Sequence, residues 1–418
     1  MKRQPFNRSV ALELACVGFA VSAGCILVAL FLGRDLNWDY FNYHDYAALS
    51  SLQDRLREDF FAAGYQGYLN PLPFYLFGWM LSLDIHSALI GSVIAFIQSA
   101  NLFFLYLISK DLVERSGWSG KAICVSLTLL GAMSGVFLAQ LGSSFVDPLT
   151  TIPVMAAIWL VLRTCELRWL CVACFLAGCS VALKLTNVVF AVGVISAAMI
   201  SIKPRSFLGF WRSVFYCGLS GVIGFISLYS VWGWKLWVEY DSPFFPLFNN
   251  VFRSEWFPAE AIAYHRFIPG NLGEALLLPF DMLGLKSWVY AEIAAPDVRP
   301  FALMIIALAI FFMASIRSLI SRLPKRSVLI LPSDMVRSRL IEYKFWVFFC
   351  SAVLLWLATS SNGRYATPLV LIIGPGLYLL LNRLVPFRYA VLGITILSVT
   401  QLHLVISAGN PRYNPMQW

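Results

Sequence analysis

Asn70-Pro-Leu-Pro-Phe-Tyr-Leu-Phe-Gly-Trp-Met-Leu-Ser-Leu83 is the stretch on which the topology of this chain turns. It is apolar, but a membrane-crossing helix needs about 20 apolar residues, so the segment is expected to lie at a membrane surface. Taken as a full span, it would invert every later loop. A membrane is the right surrounding: 59% of the 418 residues are hydrophobic and 13% are charged, a balance unlike that of a water-solvated globule of this size.

Around that stretch, apolar runs fall near 10–32, 87–108, 122–141, 149–162, 169–184, 187–202, 213–233, 300–316, 345–359, 366–382 and 389–407. The expected fold is an all-α polytopic membrane protein of about eleven transmembrane helices (10 to 13), forming one integral membrane domain over 1–418. The 149–162 and 169–184 runs are short, which predicts broken or tilted helices. Val10 to Leu32 follows Lys2, Arg3 and Arg8 like a signal peptide, yet it is too long and lacks a small-residue cleavage site, so it reads as a retained first span.

The formal charge of +9 is arranged by topology. With the N-terminus in the cytoplasm, the inner loops collect Lys110, Arg115 and Lys121, then Arg163 and Arg168, Lys203, Arg205 and Arg212, Arg317 through Lys344, and Arg383 with Arg388. Twenty of the 31 basic residues then lie inside, against five acids. This asymmetry follows the positive-inside rule, so the basicity points to membrane lipid and not to nucleic acid. Two outer segments, 33–87 and 234–299, are too long to be mere connectors and are where function is expected. The expected location is the inner (plasma) membrane with a periplasmic site. The nine cysteines lie in or beside apolar runs, and no disulfide framework follows. Cys171-x-x-Cys174 sits in an apolar helix without His or acidic neighbours, so it reads as buried thiols.

Three constellations could carry chemistry. Directly after the first span, Gly33-Arg-Asp-Leu-Asn-Trp-Asp-Tyr-Phe-Asn-Tyr-His-Asp-Tyr46 sets Asp39, His44 and Asp45 among Trp38, Tyr40 and further aromatics. A carboxylate in such surroundings can serve as a general base, and the rings suit stacking on a sugar. An interfacial aromatic belt with solvated acids is the plainer alternative. Ala47 to Phe61 then alternates apolar and charged residues as an amphipathic helix does. The second set interrupts apolar runs: Asp147 in Gly142-Ser-Ser-Phe-Val-Asp-Pro-Leu149, Lys184 in Val181-Ala-Leu-Lys-Leu-Thr186, and Arg364 in Ser360-Ser-Asn-Gly-Arg-Tyr-Ala366. Ionisable groups at membrane depth are expensive, and Lys184, Arg364 and Arg299 together suit a phosphate or pyrophosphate. Snorkelling to water or pairing with Asp147 is the structural alternative. The third is Glu239-Tyr-Asp-Ser-Pro-Phe-Phe-Pro-Leu-Phe-Asn-Asn-Val-Phe-Arg-Ser254, whose prolines predict a rigid, extended cover over a cleft. His86, His265 and His403 lack metal-ligand spacing, and no phosphate-binding glycine loop or nucleotide-sized cytoplasmic domain is visible.

These residues resemble the GT-C superfamily of polytopic glycosyltransferases, in particular the bacterial branch related to glycosyltransferase family 87. Besides the architecture, the matching motifs are Trp38-Asp-Tyr-Phe-Asn-Tyr-His44, Tyr68-Leu-Asn-Pro-Leu-Pro-Phe74, Val146-Asp-Pro-Leu149, Ala182-Leu-Lys-Leu-Thr186, Ser242-Pro-Phe-Phe-Pro-Leu-Phe-Asn249 and Gly363-Arg-Tyr-Ala-Thr-Pro368. Asn70 and Asn249 enter the substrate-binding set through these motifs. The resemblance implies a polyprenyl-phosphate-linked sugar donor, a glycan, lipid or protein acceptor, and an acidic base in the first outer loop. That base falls on Asp39, with Asp45 in reserve; many members carry adjacent acids there, whereas Asp39 is flanked by Trp38 and Tyr40. Asp147 matches the second acidic position, and Lys184 and Arg364 match the carrier-phosphate contacts. The leaving group is already a phosphate, so these cations can replace a divalent ion. No cofactor is expected, with a divalent metal left open. A lipid-linked-sugar flippase, an O-antigen-type polymerase or ligase, and a non-catalytic assembly subunit are the alternatives.

Overall fold

The structure, a computed structural model, describes residues 8–53, 55–202, 206–262, 265–285, 288–320 and 333–418. Expectations placed on Lys2, Arg3, Asp54, Lys203, Arg205, Arg322, Lys325 and Arg326 lie outside these residues, as do the side chains of Arg317, Asp334 and Arg337.

The chain is almost wholly helical. In order it forms α1 (Arg8–Leu32), β1 (Arg34–Asp35), a π-helical turn at Tyr40–His44, α2 (Asp45–Leu52), α3 (Tyr75–Ser82), α4 (Ser87–Gln98), α5 (Ala100–Leu112), α6 (Gly117–Ala132) and α7 (Gly135–Gln140). Next come α8 (Asp147–Arg163), α9 (Leu167–Leu183), α10 (Val188–Ser201), α11 (Phe207–Tyr240), α12 (Asn249–Phe252), α13 (Leu272–Asp281), α14 (Arg299–Ile320), α15 (Ser333–Thr359), α16 (Thr367–Leu384), α17 (Phe387–Ala408) and β2 (Pro415–Met416).

Among the described residues, seven helical stretches are long and apolar enough to cross a membrane: Arg8–Leu32, Ser87–Leu112, Phe207–Tyr240, Arg299–Ile316, Ser338–Thr359, Arg364–Leu384 and Phe387–Ala408. The Leu72–Ser82 helix at the heart of Asn70–Leu83 rises only about 16 Å, about half of an apolar bilayer core. Pro71 and Pro73 confine it to a tight turn before α3.

Other expected elements differ. The 122–141 run is interrupted: α6 stops at Ala132, and Ser134 caps the separate short α7 by accepting from the Phe137 amide. The loop that follows is buried, and Gln98 pays its polar cost by accepting from the Gly142 amide at 2.7 Å. The amphipathic helix expected over 47–61 ends at Leu52, and the chain then turns through Arg55–Arg57. Helix α11 runs on to Tyr240, so the second long segment begins at Asp241. Its Ser242–Asn249 motif folds as successive turns, not as an extended strand.

The core is formed where α9 packs on α8, α10 and α11, with α15 behind α10. Helices α9 and α11 meet through small residues: a Cβ on Gly178 would strike the Gly221 carbonyl, and one on Gly224 the Phe175 carbonyl. The two ends of the bundle differ in chemistry. At the end where α1 begins, Glu13 is paired with Lys110 (2.5 Å) and Lys121 (2.9 Å), Arg383 meets Glu342 at 2.7 Å, and Lys344 donates to the Thr164 carbonyl at 2.7 Å. At the other end the C-terminal tail returns, and β2 pairs antiparallel with β1.

Candidate active site

At the end opposite Glu13, a cavity of about 600 Å³ is lined by side chains from widely separated parts of the chain. Trp38, Asp39 and Tyr43 come from the segment after α1, Lys184 from the break between α9 and α10, Arg364 and Tyr365 from the turn before α16. Each sits where a helix is interrupted. Lys184 has extended backbone (φ −153°, ψ 110°), which ends α9 before a short 3-10 turn starts. Asp39 lies just ahead of the π-helical turn, which Asn37 braces by accepting from the Tyr40 amide at 2.8 Å. Asp147 opens α8, where the unpaired amides of a helix start favour a negative charge.

These residues form two acid–base pairs. Arg364 Nη1 donates to Asp39, and Lys184 Nζ donates to Asp147. The Tyr43 hydroxyl also donates to Asp39, at 3.2 Å. Lys184 lies over the Tyr365 ring at 4.3 Å, and Arg364 over Phe145 at 4.9 Å. Burial raises the Asp39 carboxyl's pKa, but the neighbouring Arg364 guanidinium outweighs it, and the net position is below the ordinary aspartate value.

The other expected site residues divide. Trp38 lines the cavity and is 64% exposed. Asn70 lines it too, yet its amide is spent on the Ala182 and Leu228 carbonyls at 2.8 and 3.1 Å, tying the loop to α9 and α11. Asp45 is exposed at the start of α2 and outside the lining, so the cavity distinguishes it from Asp39. Tyr40 packs edge-on against Phe41 and Phe77 and lies outside the lining.

Three expectations are corrected. Arg299 is fully buried away from the cavity; its guanidinium is engaged by Asp297 (2.6 and 2.8 Å) and by the Leu130, Gly131 and Val370 carbonyls, so it is a structural cation and not a phosphate contact. His44 is buried, stacked on Phe74 and bonded through Nδ1 to Ser144 at 2.8 Å. Burial lowers its pKa to about 3, so the ring is neutral and braces the loop. Asn249 is buried and closes its own turn, donating to the Ser254 and Phe257 carbonyls.

Glu292, Tyr43, Tyr365 and Tyr413 line the cavity without having been singled out in the sequence. Glu292 had a usable signal, since it is the lone acid in Trp288-Val-Tyr-Ala-Glu-Ile-Ala-Ala295. Tyr413 had none, because only the returning tail brings it there. Four lining residues carry a buried polar atom without a hydrogen-bond partner: Arg364 Nε, Glu292 Oε2, Thr186 Oγ1 and the Tyr413 hydroxyl. Such orphans call for an explanation, and a bound polar ligand supplies one. Among the described residues no group of three or more His, Cys, Asp or Glu side chains converges, and all nine cysteines are free thiols.

No protein-family model, no curated protein and no solved structure matches the chain, so the cavity's chemistry is read from its own residues.

Proposed function

We propose that this protein is a membrane glycosyltransferase that moves a sugar from a polyprenyl-phosphate-linked donor to an acceptor hydroxyl, with inversion. Asp39 takes the acceptor proton as the acceptor oxygen bonds to the anomeric carbon. The carbon–oxygen bond to the carrier phosphate breaks, and its electron pair leaves with the polyprenyl phosphate, whose charge Lys184 and Arg364 stabilise. Asp147 holds Lys184 in place. The observation that carries this reading is the convergence of Asp39, Lys184, Glu292 and Arg364, from four distant segments, on one cavity rich in aromatic walls, with Asp147 paired to Lys184. The sequence resemblance to the GT-C superfamily supports it.

The topology belongs to the same proposal. Helices α6, α8 and α9 have 16, 17 and 17 residues, and Leu185–Ser201 is of similar length. At about 24–26 Å each, they cross with modest thinning of the bilayer, which brings seven spans to eleven. With the N-terminus in the cytoplasm, Asp39, Asp147, Lys184, Glu292 and Arg364 then share the periplasmic face, in agreement with Asp39, Lys184, Glu292 and Arg364 lining one cavity and Asp147 pairing with Lys184.

Purified protein in liposomes, given a panel of labelled polyprenyl-phosphate monosaccharides and candidate acceptors, is expected to release polyprenyl phosphate and label an acceptor. Transbilayer movement of the labelled lipid without any glycosylated product would overturn the reading in favour of a flippase.

A further inference from the structure

Arg364 stands between two carboxylates. Its Nη1 donates to Asp39, while its Nε lies 3.9 Å from Oε2 of Glu292. That separation is too long for a hydrogen bond, and both atoms are buried without another partner. A shift of about 1 Å would satisfy both at once. Glu292 is the fixed member, because Asn362 Nδ2, in the buried turn beside Arg364, donates to its Oε1 at 2.9 Å. The guanidinium is therefore the part that can move.

Arg364 Nη1 and the Tyr43 hydroxyl both donate to Oδ2 of Asp39, and the guanidinium holds down the carboxylate's affinity for a proton. We propose that Glu292 is the alternative seat for Arg364: when acceptor binds, the guanidinium passes from Asp39 to Glu292, and Asp39 is released to take the acceptor's proton. This deepens the glycosyltransferase reading and rests on it. Glu292 acts through Arg364 and is a positioning residue. The guanidinium has five N–H donors, enough to hold Glu292 and still face the carrier phosphate. Leaving Asp39 lifts the depression that Arg364 imposes on its proton affinity, so the move makes it a stronger base. The other titratable groups facing the pair are Tyr43 and His44 beside Asp39, and Tyr365, Tyr413 and Lys184 beside Arg364.

The structure of Asp39→Asn in nanodiscs tests the move without any assay of activity. Removal of the competing charge is expected to close the Arg364 Nε to Glu292 Oε2 gap to about 2.9 Å. A gap that stays at 3.9 Å would overturn the proposal. In Glu292→Gln, checked for folding by size exclusion, kcat is expected to fall about 10- to 100-fold, with the acid limb of its pH profile moved to lower pH. An equal loss at every pH, with the limb unmoved, would mark Glu292 as merely structural and overturn the relay. If wild-type protein transfers no sugar from any donor, the glycosyltransferase reading falls, while the Asp39→Asn structure still decides whether Glu292 is Arg364's second seat.

Discussion

Arg299 and Arg364 show how one residue type serves two different purposes. Arg299 is saturated by Asp297 and three carbonyls, whereas Arg364 keeps an unpartnered Nε beside the cavity. Replacing Arg299 by Ala leaves Asp297 as an uncompensated buried charge, with an expected loss of about 3–5 kcal/mol read as a drop in thermal unfolding temperature in detergent. Coupling Arg299→Met with Asp297→Leu should recover much of that loss. The Asp39–Arg364 pair has a definite pH signature. Its carboxyl sits below the unfolded aspartate value of about 3.9, so its stabilisation is fully present above that pH and is lost as pH falls through the lower folded value. Thermal scans from pH 7 down to about 4 should therefore show no loss from this pair, with Asp39→Asn narrowing the difference only below that range. At this scale the sequence was informative where an ionisable residue broke an apolar run: Asp147, Lys184 and Arg364 were found that way. It misled for His44, because nothing local reveals that Ser144 absorbs it, and for Arg299, although its partner Asp297 stands only two residues away.

Helix existence was legible from hydropathy, since long apolar runs can hardly be anything else in a bilayer. Helix interruptions were legible at Lys184 and Arg364, where a charge breaks the apolar run, but not within 122–141 or after Leu52. The break at Met133–Ser134 is supported by Gln401, a partner from α17 that donates to the Met133 carbonyl at 2.9 Å, and the stop at Leu52 by packing of α2 against α3. Least visible was the C-terminal tail. Arg412 donates to the Gly33, Ala139 and Ala29 carbonyls, Trp418 donates to the Leu30 carbonyl, and β2 pairs with β1, so the tail fixes the segment that carries Asp39. The mutation Arg412→Ala should cost about 2–3 kcal/mol, measured by unfolding, because it leaves those carbonyls unsatisfied. Truncation after Gly409 should in addition lower turnover, since it removes Tyr413 from the cavity wall.

For the whole molecule, the two ends are chemically distinct: one gathers Glu13, Lys110, Lys121 and Lys344, the other gathers the cavity. An eleven-span arrangement assigns them to opposite sides of the membrane. In a background lacking the nine native cysteines, Asp45→Cys is expected to react with an impermeant maleimide in intact cells, and Trp118→Cys only after permeabilisation; the reverse pattern would invert the topology. Whether the cavity transfers sugar is decided by single-turnover release of polyprenyl phosphate from a labelled donor, compared between wild-type protein and Asp39→Asn in the same liposomes. Release by the wild type and a fall of at least about 100-fold in the variant, with membrane insertion intact, is the expected result. Equal release by both would contradict Asp39 as the base and the cavity as the site of transfer.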